Sequence, residues 1–202
     1  MKILNLIFLI PVFSLSSFAD EASLLGGLGS SSNHYSAEAP SGTTYGASSG
    51  LVLKATSDLM PISTLPLVLR GGLFFQNRSY KRTTATGEST TKYKTLGVSA
   101  EAAYTALPYV SFSGGAYFST GLGSVTATLA GGTESSSDFS DVALSNVDYG
   151  MKIGARGKVA IAEKISALLD VDYLLGFKDL STVLGKTNRR DVWILVGASY
   201  NF

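Results

Sequence analysis

The chain has 202 residues, with 16 Lys and Arg against 15 Asp and Glu, a formal net charge of +1, and no cysteine. That balance gives no basic surface for a polyanion such as nucleic acid, and without cysteine there are neither disulfide staples nor thiolate metal sites. Mean hydropathy is positive at +0.24, yet beyond the first residues no apolar run reaches the length of a helical span, so a helical membrane architecture is excluded.

Lys2 precedes an apolar run over 3–13, followed by S-L-S-S-F-A with Ser17 and Ala19 at the small-residue positions before Asp20. This is the pattern of a secretory signal peptide over 1–19; the run is short of the roughly 20 residues that a spanning helix needs. Removing it takes away Lys2 alone among the charges, so 20–202 carries 15 basic and 15 acidic residues as a single domain. A cysteine-free domain sent into an oxidising compartment must be held by other means, and a closed hydrogen-bonded barrel in lipid is one of them.

Along 20–202 the apolar residues alternate in eight segments: 21–31, 43–55, 67–76, 92–104, 109–120, 147–161, 165–177 and 191–202. A period of two marks strands with one greasy face, and each is near or above the ~9–11 residues with which a tilted strand crosses hydrocarbon. The connections after the even segments (56–66, 105–108 and 162–164) are set against mostly longer ones rich in Ser, Thr, Gly and charge (32–42, 77–91, 121–146 and 178–190). Short inner turns and longer outer loops are what a transmembrane barrel has. Pro40, Pro61, Pro66 and Pro108 all fall in connections, where a missing N–H breaks no ladder.

The apolar phase is free of charge. It comprises Leu24, Gly26 and Leu28; Tyr45, Ala47, Ser49, Leu51 and Leu53; Leu67, Leu69, Gly71, Leu73 and Phe75; Leu96, Val98, Ala100, Ala102 and Tyr104; Val110, Phe112, Gly114, Ala116 and Phe118; Tyr149, Met151, Ile153, Ala155 and Val159; and Ile165, Ala167, Leu169, Val171, Tyr173, Leu175 and Phe177. Lipid selects this exclusion, since a midplane Lys or Arg costs roughly 2–4 kcal/mol. With odd strands running outward, Tyr45, Phe75, Phe118, Tyr149 and Phe177 fall near the outer ends and Tyr104, Phe112, Tyr200 and Phe202 near the inner ends, as two interfacial belts.

The opposite phase holds Lys54, Arg70, Glu101, Lys152, Arg156, Lys158, Asp170 and Asp172. An eight-stranded barrel is just wide enough for its side chains to fill, so these charges are expected to pair. The tight 162–164 turn sets Ile161 against Ile165, hence Arg156 opposite Asp170 and Tyr149 opposite Phe177; a similar register brings Arg70 near Glu101. The expected structural network in the lumen is Arg70, Glu101, Lys152, Arg156, Asp170 and Asp172, a plug of ion pairs; if the pairs exchanged partners, they would instead form a narrow ion path.

The last segment reads D-V-W-I-L-V-G-A-S-Y-N-F and stops on an aromatic residue. It resembles the closing strand of Gram-negative outer-membrane β-barrel proteins, whose insertion signal runs polar-x-Gly-x-x-hydrophobic-x-hydrophobic. Gly197, Tyr200 and Phe202 match its last three fixed positions, while Leu195 stands where a polar residue is preferred. The resemblance is to small barrels of the OmpA, OmpX and OmpW type, barrel only, without the peptidoglycan-binding domain. It implies an all-β fold, an eight-stranded antiparallel up-and-down transmembrane β-barrel over 20–202, in the bacterial outer membrane. It further implies outer-membrane lipid and lipopolysaccharide as surroundings, the barrel-assembly machinery as partner during insertion, and a monomer.

Barrel enzymes need a positioned base and nucleophile. The only histidine, His34, stands in the first outer connection with no second member at a telling spacing, so the expectation is no catalysis, no cofactor and no metal. The basic clusters Arg78, Lys81, Arg82 and Arg189, Arg190 in the outer connections suit lipopolysaccharide phosphates. Three functions stay open: a barrel displaying surface loops in a structural, adhesion or envelope-interaction role; a small channel or hydrophobic-solute conduit of the OmpW kind; and a soluble lipid-binding barrel, which requires the opposite facing of every strand.

Overall fold

A computed structural model describes residues 20–35, 42–62, 66–142, 144–179 and 187–202. The expected signal peptide (1–19), Pro40 and residues 180–186 of the last outer connection lie outside the described residues.

Alternating apolar residues with abundant Thr, Val and Tyr favour extended chain, and the described residues form nine strands. They are β1 (Glu21–Tyr35), β2 (Thr44–Ile62), β3 (Leu67–Thr84), β4 (Gly87–Leu107), β5 (Val110–Thr128), β6 (Glu134–Ser137), β7 (Val147–Ala160), β8 (Ile165–Gly176) and β9 (Thr187–Asn201). Successive strands pair antiparallel from β1 to β5, β5 pairs onward with β7, β7 with β8 and β8 with β9, and β9 returns to β1, so eight strands close a ring. The ninth, β6, pairs only with the outer part of β5 and stands outside the ring.

The facing of every strand follows the expected phase. Leu24, Leu28, Val98, Phe112, Met151, Ile153, Leu169 and Ile194 are exposed, whereas Lys54, Glu101, Lys152, Arg156, Asp170 and Asp172 are buried. The soluble lipid-binding barrel would need the reverse. In the β7–β8 hairpin, the Ile161 N–H donates to the Ile165 carbonyl (3.0 Å), the Phe177 N–H donates to the Tyr149 carbonyl (2.8 Å), and Arg156 faces Asp170 across the ladder.

Several boundaries differ from the sequence expectation. The ladder does not stop where the greasy phase stops: β3 and β4 continue to a turn at residues 85–86, so the expected 77–91 loop is a paired hairpin, flanked by β2 as far as Thr83 and by β5 as far as Thr90. Likewise the 121–146 loop contains the end of β5 and all of β6. Thr and Ser carry the strands on, because a pleated backbone above the membrane can still satisfy itself by pairing. Tyr45 pairs with Arg82 on this extension and so stands above the outer aromatic belt rather than in it.

At the inner end β2 runs on to Ile62, so only 63–66 separate it from β3, in place of the expected 56–66 connection. Pro61 thus lies in a strand, paired with Val68 on β3; β1 pairs with β2 only as far as Asp58, so Pro61 sits beyond the part hydrogen-bonded on both sides. His34 is also in a strand rather than a loop, with its backbone opposite Asn188.

Two irregularities mark the outer half. Between Ala47 and Val52, β2 slips out of register with β3, and between Leu122 and Thr126, β5 carries extra residues against β4, with Gly123 at a φ of +68°. Bulges of this kind bend a strand and open the local wall.

The closure is tight. A Cβ built on Gly197 would lie 2.0 Å from the Leu24 carbonyl oxygen and 2.7 Å from the Leu25 Cα. Gly197 therefore has a packing reason at the β1–β9 seam, separate from any part in insertion. Gly197→Ala is expected to cost about 1–3 kcal/mol, the usual penalty for overpacking, seen as a lower urea midpoint for the purified barrel refolded in detergent. An unchanged midpoint would assign Gly197 to insertion alone.

Candidate functional site: a sealed lumen

The lumen is filled in three layers, set by which inward residues the stagger of the strands brings to one level. The lowest is ionic. Lys152 of β7 donates to Glu101 of β4 at 2.6 Å and approaches Asp172 of β8 at 3.0 Å; Asp172 accepts from Lys54 of β2 at 2.7 Å. Lys54 also donates to Asp170 at 3.0 Å, and Asp170 receives the forked guanidinium of Arg156 at 2.7 and 2.8 Å. Glu101–Lys152–Asp172–Lys54–Asp170–Arg156 is thus one continuous chain of three cations and three anions.

Hydroxyls complete it. Ser99 and Ser113 donate to Glu101 at 2.9 Å each, and Arg156 reaches Ser23 and Thr56. Charges removed from water persist only with such full pairing, since each unpaired ion would cost several kcal/mol.

Five of the six residues expected in the network meet in this chain; Arg70 does not. Its register opposite Glu101 is as expected, but the Glu101 carboxylate is taken by Lys152, and Arg70 turns to Asp58 on its other side, with bonds of 2.6 and 3.1 Å. Asp58 belonged to a connection in the sequence expectation and so was not available as a partner there; the longer β2 supplies it. Lys158 and Glu21 form another pair at the inner mouth.

The middle layer is apolar and was not anticipated. Leu25, Val52, Phe74, Tyr117, Leu168, Leu174, Trp193 and Leu195 form one buried cluster. Phe74 packs edge-on against Trp193 and Tyr117, with ring centroids 5.0 and 6.4 Å apart. Gly97 makes room for it: a Cβ there would lie 2.2 Å from the Phe74 ring. Val52, Leu174, Trp193 and Leu195 have no exposed surface at all, so this layer is a septum across the bore.

Above it lies a second polar layer. Arg78 donates to Asp191 (3.2 Å) and Gln76 (2.9 Å), and Gln76 to Ser31 (3.1 Å). Arg189 is paired with Asp148 and donates to the hydroxyls of Tyr80 (2.9 Å) and Tyr93 (2.7 Å), while the Tyr117 hydroxyl donates to Asp148 at 2.8 Å. Arg78 and Arg189 balance Asp148 and Asp191. Phe139 from the β6–β7 connection packs edge-on against Tyr93, centroid to centroid 5.5 Å, and covers this layer.

Arg78 and Arg189 are therefore interior residues, not members of basic surface clusters as the sequence suggested. The signal that could have found them is the inward phase continued past the lipid band: Gln76, Arg78 and Tyr80 on β3, Tyr93 and Thr95 on β4, and Arg189, Asp191, Trp193 and Leu195 on β9. The His34 side chain lies outside the described residues, and among the described residues no group of three or more His, Asp or Glu is arranged to hold a metal.

No family model and no curated protein matches the sequence. Solved structures do match in fold. The outer-membrane protein OprG from Pseudomonas aeruginosa is 14% identical with a TM-score of 0.55, over 91% of this chain and 96% of that one. Neisserial surface protein A is 15% identical with a TM-score of 0.51, over 90% and 97%. The fold is that of the small outer-membrane β-barrels. A closed ladder with ions inside and an apolar band outside is fitted to a bilayer, and the fold is the one that bacterial outer-membrane barrels use.

Asp172 bridges two lysines on different strands. Asp172→Asn leaves both ammoniums with half their compensation and is expected to destabilise the barrel by about 3–5 kcal/mol. Urea titration of the refolded protein measures it; a loss below about 1 kcal/mol, the range of an exposed pair, would mean that water reaches this layer.

Proposed function

We propose that the protein is a non-conducting, non-enzymatic barrel that works through its outer surface, in a structural, adhesion or envelope-interaction role. It is inserted by the barrel-assembly machinery as a monomer and presents stiff hairpins above the outer leaflet. The observation that carries this is the septum: Trp193, Phe74, Leu174 and Leu195 close the bore between two charge-neutral layers. An aqueous path needs continuous polar lining or room for water, and the septum weighs against the conduit alternative.

The outer surface, by contrast, is elaborated. From the Phe75–Leu96 pair, β3 and β4 continue together to Thr84 and Gly87, about 20 Å of paired ribbon at the usual rise and tilt. A ribbon held by its own ladder presents side chains at fixed spacing, which suits contact with a surface better than a loose loop does.

In planar bilayers the wild-type barrel is expected to give no conductance steps. Phe74→Ala combined with Trp193→Ala, which removes the two septum rings that pack 5.0 Å apart, is expected to give them. Steps from the wild type that change with Arg156→Ala would overturn the reading in favour of a pore.

A further inference from the structure

The slip in β2 and the bulge in β5 lie on either side of the β3–β4 ribbon and leave a notch of about 870 Å3 in the outer half of the wall. Lys81, Lys92 and Lys94 line it, with Asn77 between them and Leu51 and Leu122 at its rim. Among the described residues no acidic one does. In a chain whose charges nearly cancel, three lysines around one recess form a local excess.

Their facing is set by the strand phase. Lys94 and Lys92 are the next two lipid-side positions of β4 beyond Leu96, and both are exposed. At the usual rise and tilt they stand about 5 and about 10 Å above the Phe75–Leu96 row, in the headgroup zone rather than in hydrocarbon. Lys81 is held by Glu88 at 2.8 Å, whereas among the described residues no carboxylate pairs with Lys92 or Lys94. Arg78, beneath, turns its side chain into the lumen and is spoken for by Asp191.

We propose that this notch binds a phosphate of the outer-leaflet glycolipid, with Lys92 and Lys94 as the clamp, Asn77 as a neutral hydrogen-bonding side chain, and Leu51 and Leu122 against the first carbons of its acyl chains. The proposal rests on the outer-membrane reading and adds the identity of one partner. Charge complementarity argues for an anion, and the apolar rim at the membrane side argues for an amphiphile. Two ammoniums near a surface are worth about 1 kcal/mol each to an anionic lipid, and pairing with phosphate relieves the crowding of like charge on β4.

The test titrates the folded full chain in nonionic detergent with bis-phosphorylated lipid A and counts bound lipid by native mass spectrometry. Lys92→Gln with Lys94→Gln is expected to weaken binding about tenfold or more. Lys92→Arg with Lys94→Arg should retain it, and Lys164→Gln, at the inner end, should leave it unchanged. Lipid A stripped of phosphate is expected to bind the wild type no better than the Gln variant binds intact lipid A, and raised salt should weaken binding to the wild type. Millimolar inorganic phosphate should fail to displace the lipid; displacement by it would reduce the site to an anion site and overturn the glycolipid assignment.

Unchanged affinity in a Gln variant that still shows heat-modifiable migration, or equal binding of dephosphorylated lipid A, would overturn the notch alone. Recovery of the wild type outside the outer-membrane fraction would overturn the localisation instead, so the two failures are distinct.

Discussion

Hydrocarbon offers no water to a backbone N–H or C=O, so every strand in it needs a partner on both sides. The seam between β1 and β9 meets this demand, with pairs running from Glu21 and Asn201 to Tyr35 and Thr187. Once the ladder is a ring, the alternation of side chains divides the molecule into an inside and an outside with no choice left at any position. Apolar residues then face lipid, and whatever stands in the other phase must fit a narrow bore. Ion pairs, septum and upper polar layer are three ways of filling it.

Those three layers have different energetics. The septum is stabilised by burial and by edge-on ring contacts, with the Phe74 ring seated over Gly97. The ionic layers gain little net energy from their contacts, because desolvation offsets much of the attraction. Their effect is on arrangement: Lys54 bonds only when β2 and β8 stand at one height, and Arg189 only when β4, β7 and β9 do. Charge thus helps fix the stagger of strands whose outer faces, apolar along the lipid band, carry little to choose one height over another.

Much of this was legible from residues alone. The period of two placed eight strands and their facing, and the three-residue 162–164 connection gave the Arg156–Asp170 register because a short turn leaves no slack. Illegible were partners on strands far apart in sequence. Arg70 is adjacent to both Asp58 and Glu101, and only the competing claim of Lys152 on Glu101 decides between them. The septum was hidden for a different reason: Trp193 and Leu195 share the alternate phase of β9 with Asp191, Gly197 and Ser199, so the phase looked merely mixed. Sorting by height as well as by phase separates them. Strand ends were misplaced wherever Ser and Thr continued a ladder after the apolar signal had ended.

The contacts across the bore also bear on how the molecule comes into being. Lys54 and its acceptors are separated by 116 and 118 positions in the chain, so the last strands must be present before the second can settle its charge. A flat, unfinished sheet pushed into the bilayer would carry bare ammonium and carboxylate groups into oil. The sheet must curl while its inner face is still wet, and entry and closure become one event.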